Sequence, residues 1–119
     1  MRDMGGRTLL HIEAESGYPW NVERQIEAGA DIHARAGKDF LSFTPLHFAA
    51  EFGRAEAVAL LLAAGADPRI TDDGGKVPSW YARHKGHDAI AEILKAKEQE
   101  LDLRDKHGVS KDALVFFGL

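Results

Sequence analysis

Cysteine is absent from the 119 residues. That excludes a disulfide scaffold, thiolate zinc sites and every mechanism that needs a cysteine nucleophile. A long apolar run is missing too. The longest strongly apolar segment, residues 55–66, contains Glu56 and is too short to span a bilayer. No apolar stretch follows Met1-Arg2-Asp3-Met4-Gly5-Gly6, so no signal peptide is read there and a cytoplasmic protein is expected. Nor is there a basic excess: 15 Lys and Arg stand against 19 Asp and Glu, a formal charge of −4. The expected partners therefore include no nucleic acid and no membrane. A basic protein suits this balance better, because opposite charge steers encounter. The hydrophobic fraction of 45% and charged fraction of 29% are those of an ordinary globular chain with its own core.

An internal repeat organises the sequence. Thr8-Leu9-Leu10-His11 leads to Gly17 and then, twelve residues on, to Gly29-Ala30-Asp31. Thr44-Pro45-Leu46-His47 leads to Gly53 and then to Gly65-Ala66-Asp67 with the same internal spacing, offset by 36. A weaker third copy starts at Val77-Pro78, with Ala82 and Gly86 offset by 33. Within a unit, Thr44 is a helix N-cap and Pro45 suits the first helical position. Leu46, Ala49 and Ala50 predict a short helix with a small-residue face, and Gly53 a left-handed stop. A second helix is predicted over 54–64, with Val58, Leu61 and Leu62 on its buried side. The Asp- and Gly-rich stretch 67–76 reads as a turn or β-hairpin.

This helix–turn–helix–hairpin unit, with Thr-Pro-Leu-His, Ala-Ala and Gly-Ala-Asp, resembles the ankyrin repeat. The resemblance implies an all-α solenoid of stacked antiparallel helix pairs with projecting β-hairpin loops, forming one domain over 1–119. Repeats are expected at about 6–41, 42–74 and 75–104. Arg24 and Gln25 replace Leu60 and Leu61 in the first copy, which suits a terminal repeat whose outer face meets water. The last helix is expected from 87 to about 101, since Glu98 stands where Gly65 would align. Residues 105–108 read as a further turn, and 105–119 as a capping half-repeat in which Ser110 starts a helix carrying Leu114, Phe116, Phe117 and Leu119.

Candidate chemistry is thin. The resemblance gives His11 and His47 a structural role, bonding backbone across repeats. His84 and His87 lack a third ligand, and His33 and His107 read as solvated turn residues. Gly74-Gly75-Lys76 lacks the spacing and the following Ser or Thr of a P-loop, and Asp72-Asp73-Gly74 falls short of a calcium loop. Glu13 and Glu15 lie about 200° apart around a helix. We read no catalytic residue, no cofactor and no metal site, hence no enzyme.

The resemblance implies protein binding on a concave face, through hairpin tips and exposed positions of each first helix. Carried onto this sequence, those positions are Glu15, Ser16, Phe43, Glu51, Phe52, Asp73, Lys76, His84 and Lys85. The first hairpin is three residues longer than the second, the excess falling in Ala36-Gly37-Lys38-Asp39-Phe40-Leu41-Ser42-Phe43. Its apolar residues either fold back as a small local core or project as a patch. We take Phe40, Leu41 and Phe43, with Phe52, as a projecting patch rimmed by Glu15, Glu51 and Asp73, a largely acidic rim that Lys38, Lys76 and Lys85 interrupt. Trp20 reads as packing over the exposed end of the first repeat, with a partner contact on the convex side as the alternative, and Trp80 and Tyr81 read as packing residues.

The expected function is a noncatalytic module, a monomer on its own, that binds one specific protein partner. A chain this short carries no second domain to recruit, so inhibition or neutralisation of the partner is the expected output, as in a bacterial immunity protein against a basic toxin. The alternatives are a regulatory or stabilising subunit of a larger enzyme, and a self-assembling structural module.

Overall fold

A threonine and a histidine three residues apart start two of the helices by the same mechanism. In the computed structural model, which describes residues 2–107, Thr8 caps α1 (Leu9–Ser16) and Thr44 caps α3 (Pro45–Glu51). Each threonine hydroxyl accepts a bond from the histidine backbone N–H, while the histidine Nδ1 accepts from the threonine N–H, at 2.9 Å for Thr8 and 3.2 Å for Thr44. Two orphan helix donors are thus satisfied reciprocally. Accepting at Nδ1 leaves the proton on Nε2. That edge then donates forward: His11 to the Ala34 and Phe43 carbonyls at 2.8 and 2.9 Å, His47 to the Lys76 carbonyl at 3.0 Å. Both rings are fully buried.

The remaining helices are α2 (Pro19–Glu27), α4 (Ala55–Ala63), α5 (Pro78–His84) and α6 (Asp88–His107). Pro19, Pro45 and Pro78 all sit at helix starts, where a missing N–H costs nothing. The inner row stacks α1 on α3 on α5, and α2 packs on α4 in the outer row. Buried Ala14, Ala49, Ala50 and Ala82 let the inner helices approach closely. Leu10, Leu46, Phe48, Val22, Val58, Leu61, Ile90 and Leu94 fill the space between the rows. Gly17 and Gly53 end the inner helices at φ +81° and +71°, as the left-handed stop requires. A β-carbon on either would overlap the Arg54 side chain or the His87 ring, because the next repeat crosses back over each glycine.

Three differences from the sequence reading have physical causes. First, no strand forms among the described residues. The expected hairpins are closed by Ala36 N to Phe43 O at 2.8 Å and Asp72 N to Lys76 O at 2.9 Å. Their remaining backbone bonds, such as Ser42 N to Gly37 O at 3.2 Å and Gly75 N to Asp72 O at 3.0 Å, lie inside the turns, so no ladder extends from either. Second, the long hairpin contains a 3₁₀ turn, Lys38–Phe40, that takes up the three extra residues. Third, α6 runs through residues 105–107, where a turn was expected. Nothing there breaks the helix, and Arg69 ties its far end down through Asp102 and Asp105 at 3.0 and 2.8 Å. The expected capping helix, with Ser110, Leu114, Phe116, Phe117 and Leu119, lies outside the described residues.

Candidate partner-binding cleft

The long hairpin, residues 36–43, folds against the ends of two inner helices. Phe43 precedes the Thr44 cap, and its carbonyl accepts from both Ala36 N and His11 Nε2. These bonds turn its ring inward, where it stacks on His47 at 4.9 Å and meets Phe48 and Tyr81 edge-on at 5.1 and 4.8 Å. Phe43 is therefore a core residue and cannot be the exposed contact expected of it. The fold-back and projection alternatives each describe part of the segment. Phe40 is half-buried with its edge on Phe48 at 5.5 Å, and Leu41 projects, 44% exposed. Gly5 allows the Phe40 ring its place, since a β-carbon there would overlap it.

Between this hairpin and the ends of α1 and α3 lies an open cleft of about 220 Å³. Six of the expected site residues line it: Glu15, Phe40, Leu41, Phe43, Glu51 and Phe52. Phe52, 41% exposed, forms one lip. Two more lining residues, Asp39 and Phe48, were missed by the sequence reading. Phe48 stands one helical turn before Phe52, a spacing that could have revealed it, and Asp39 sits inside the insertion itself. The cleft thus has an aromatic floor and three carboxylates at its edge.

Those carboxylates differ in their surroundings. Glu15 is bound by Arg7 at 2.8 Å, and the Arg7 guanidinium also lies over the Phe40 ring, 4.6 Å from its centroid. Asp39 and Glu51 have no ion-pair or side-chain hydrogen-bond partner among the described residues. Burial pushes the Glu51 carboxyl above its ordinary range; the Lys85 charge opposes this and that of Glu15 adds to it.

The other expected site residues fall elsewhere. Lys38 is exposed at the start of the 3₁₀ turn and borders a separate hollow near Met4 and Gly37. Ser16 is exposed at the end of α1. Asp73 joins the two hairpins: its N–H donates to the Leu41 carbonyl and its carboxylate accepts from the Ser42 hydroxyl, both at 2.9 Å. Lys76 and His84 are gathered on the exposed Trp80, with Lys76 5.1 Å from one ring centroid and His84 stacked at 3.7 Å. Lys85 is exposed beyond the end of α5. Trp20 is 61% exposed and carries Arg24 on its face, so it does not pack over the first repeat as expected.

Among the described residues no group of three His, Cys, Asp or Glu side chains could hold a metal ion. His84 belongs to Trp80 and His87 to Gly53, so that pair does not converge. Among the same residues, no helix is long and apolar enough to cross a membrane.

Comparison with known proteins matches these features. The family model for ankyrin repeats, in three copies, covers residues 10–105. The chain is 37% identical over 116 residues to calmodulin-binding transcription activator 3 of Arabidopsis thaliana, covering 88% of this chain and 11% of that protein. It is 35% identical over 109 residues to human transient receptor potential cation channel subfamily A member 1, covering 89% of this chain and 9% of the channel. Against the human ARF GTPase-activating protein GIT2 it is 36% identical over 95 residues, 77% of this chain and 12% of that protein. The chain thus spans about a tenth of the length of these curated relatives. Their activities differ and the repeat is what they share with it, a unit that generally mediates protein–protein contact without catalysis. By its repeat spacing, its paired helices and this match, the chain belongs to the ankyrin-repeat family.

Proposed function

We propose that this chain binds one specific, basic protein partner on its concave face, with the long hairpin as the principal contact, and that binding restrains the partner's activity. The observation that carries this reading is the cleft, where exposed Leu41 and Phe52 stand beside three carboxylates on a rigid aromatic floor. A pre-ordered surface loses little conformational entropy on docking, and exposed aromatic anchors supply much of the energy of an interface. Neutralisation of a basic toxin is one form such restraint would take.

A second reading has its own support. Similar stretches form about a tenth of larger proteins that include a GTPase-activating protein and a glycerophosphocholine phosphodiesterase. That context favours a regulatory element serving a larger catalytic protein.

The test uses immobilised wild-type chain beside a Leu41→Ser, Phe52→Ser variant. Both side chains are exposed, so the variant is expected to keep its fold, which circular dichroism checks. A partner captured by the wild type and lost by the variant is then assayed for its own activity. Stoichiometric inhibition supports restraint and stimulation supports the regulatory reading. Equal capture by both baits would move the contact away from the cleft.

A further inference from the structure

We propose that the cleft is a socket for a single arginine or lysine side chain presented by the partner, with Phe40, Phe48 and Phe52 receiving its stem and Asp39 and Glu51 its charge. The proposal rests on the protein-binding reading above and names the chemistry of its central contact.

The molecule already shows how this wall takes a cation. The Arg7 guanidinium lies over the Phe40 ring while its Nη1 bonds Glu15, which combines cation–π attraction with an ion pair. Asp39 and Glu51 line the same aromatic cleft, and no cation of the described chain is bonded to either. Glu51 is half-buried in the folded protein, so part of its hydration is lost before any partner arrives. A cation entering beside it meets a carboxylate poorly screened by water. Carboxylates at the edge repel phosphate, which separates this surface from a nucleic-acid site.

Backbone geometry at the lip points the same way. Leu41 and Ser42, neither of them glycine, sit in succession at φ +52° and +55°. The Asp73 N–H to Leu41 carbonyl bond and the Ser42 hydroxyl to Asp73 bond hold them there. A conformation unfavourable to L-residues is retained where it keeps Leu41 exposed beside the opening. The hollow beside Arg69 on the outer row offers no comparable vacancy for a charged ligand, because Asp67, Asp102 and Asp105 bind that guanidinium.

The experiment pans a displayed library of random peptides against the full chain and measures selected peptides on three proteins: wild type, Asp39→Asn with Glu51→Gln, and Glu23→Gln with Glu56→Gln. The last pair removes the same charge from exposed positions on α2 and α4. The expected outcome is peptides sharing one arginine or lysine, bound about tenfold more weakly by the cleft variant and unchanged by the control. Replacing that arginine with citrulline, or the lysine with norleucine, should cause a similar loss on wild type and little further loss on the cleft variant. Peptides that bind without a basic residue, or equally to all three proteins, would overturn the socket and leave the binding reading standing. Failure to enrich any peptide would count against both.

Discussion

Two hairpins of this chain begin and end alike but are braced by different chemistry. The short one, residues 72–76, is organised by a carboxylate: Asp72 accepts from the Gly74 and Lys76 N–H groups at 2.9 Å each, and from the buried Tyr81 hydroxyl. Burial raises the Asp72 carboxyl, but these donors outweigh it and hold the group below its usual range. Burial, with the bond to Asp72, pushes the Tyr81 phenol up. The turn at residues 3–7 repeats the device, with Asp3 accepting from Gly5 and Arg7 at 3.0 and 2.8 Å. The long hairpin has Ala36 where those turns have Asp, and rings take over: Phe43 on His47, Phe48 and Tyr81, and Phe40 on Phe48. A polar brace turns its donors inward, whereas an aromatic brace builds walls. The cleft is a consequence of the second kind.

The largest effect should come from the aromatic brace. Phe43→Ala is expected to destabilise the protein by ~3–5 kcal/mol in urea unfolding, since it vacates a packed position between two repeats. A loss below about 1 kcal/mol would reduce the ring to decoration and break the comparison. Tyr81→Phe tests the polar brace by removing one donor from Asp72, at an expected cost of about 1–2 kcal/mol by the same assay. A loss equal to that of Phe43→Ala would make the two braces equivalent.

The histidines that join repeats sharpen the comparison through pH. Burial holds both His11 and His47 below their ordinary value of 6.5, with backbone carbonyl bonds opposing it. The unfolded chain takes up protons near that value while the folded chain resists, so stability is full above it and falls as pH drops below it. The lowered carboxyls Asp3, Asp67, Asp72 and Asp105 add loss of the same sign from about 3.8 downward. The urea midpoint should therefore be lower at pH 5.5 than at 7.5, with a smaller difference in His47→Gln. An unchanged midpoint across that range would refute the assignment.

The smallest expected effect has the opposite sign. Leu41→Gly relieves a left-handed backbone at an exposed position and should stabilise by ~0.5–1 kcal/mol while weakening partner capture. Stabilisation without any loss of capture would separate the strained lip from binding.

What the sequence revealed was set by short-range rules. Thr-x-x-His fixes a cap within four residues, proline marks a first helical turn and glycine at a left-handed position ends a helix within one, so α1, α3 and the start of α5 could be placed on inspection. The inward turn of Phe43 depended on carbonyl bonds to Ala36 and to His11, which lies 32 residues away. Local pattern gave no sign of it, and Phe43 was taken as exposed. The strands expected of the hairpins failed for the complementary reason. The residues are turn-formers, but a ladder needs more paired length than these short connections offer. Half of the anticipated contact set meets in one cleft because insertion and helix ends were read on the same side. Lys76 and His84 went instead to Trp80, an aromatic assigned to packing.

The forward bonds of His11 and His47 give the array a direction. In the first two repeats the histidine donates a hydrogen bond to the hairpin that follows its own helix pair, toward the next repeat. A cut after residue 70 would leave the His47 Nε2–H without its acceptor in a core position, whereas a cut before residue 43 removes His11 together with its cap and orphans no such donor. Trimming from the two ends is therefore not equivalent. The third repeat carries Trp80 in the histidine position, so it lacks the imidazole that makes this bond in the first two.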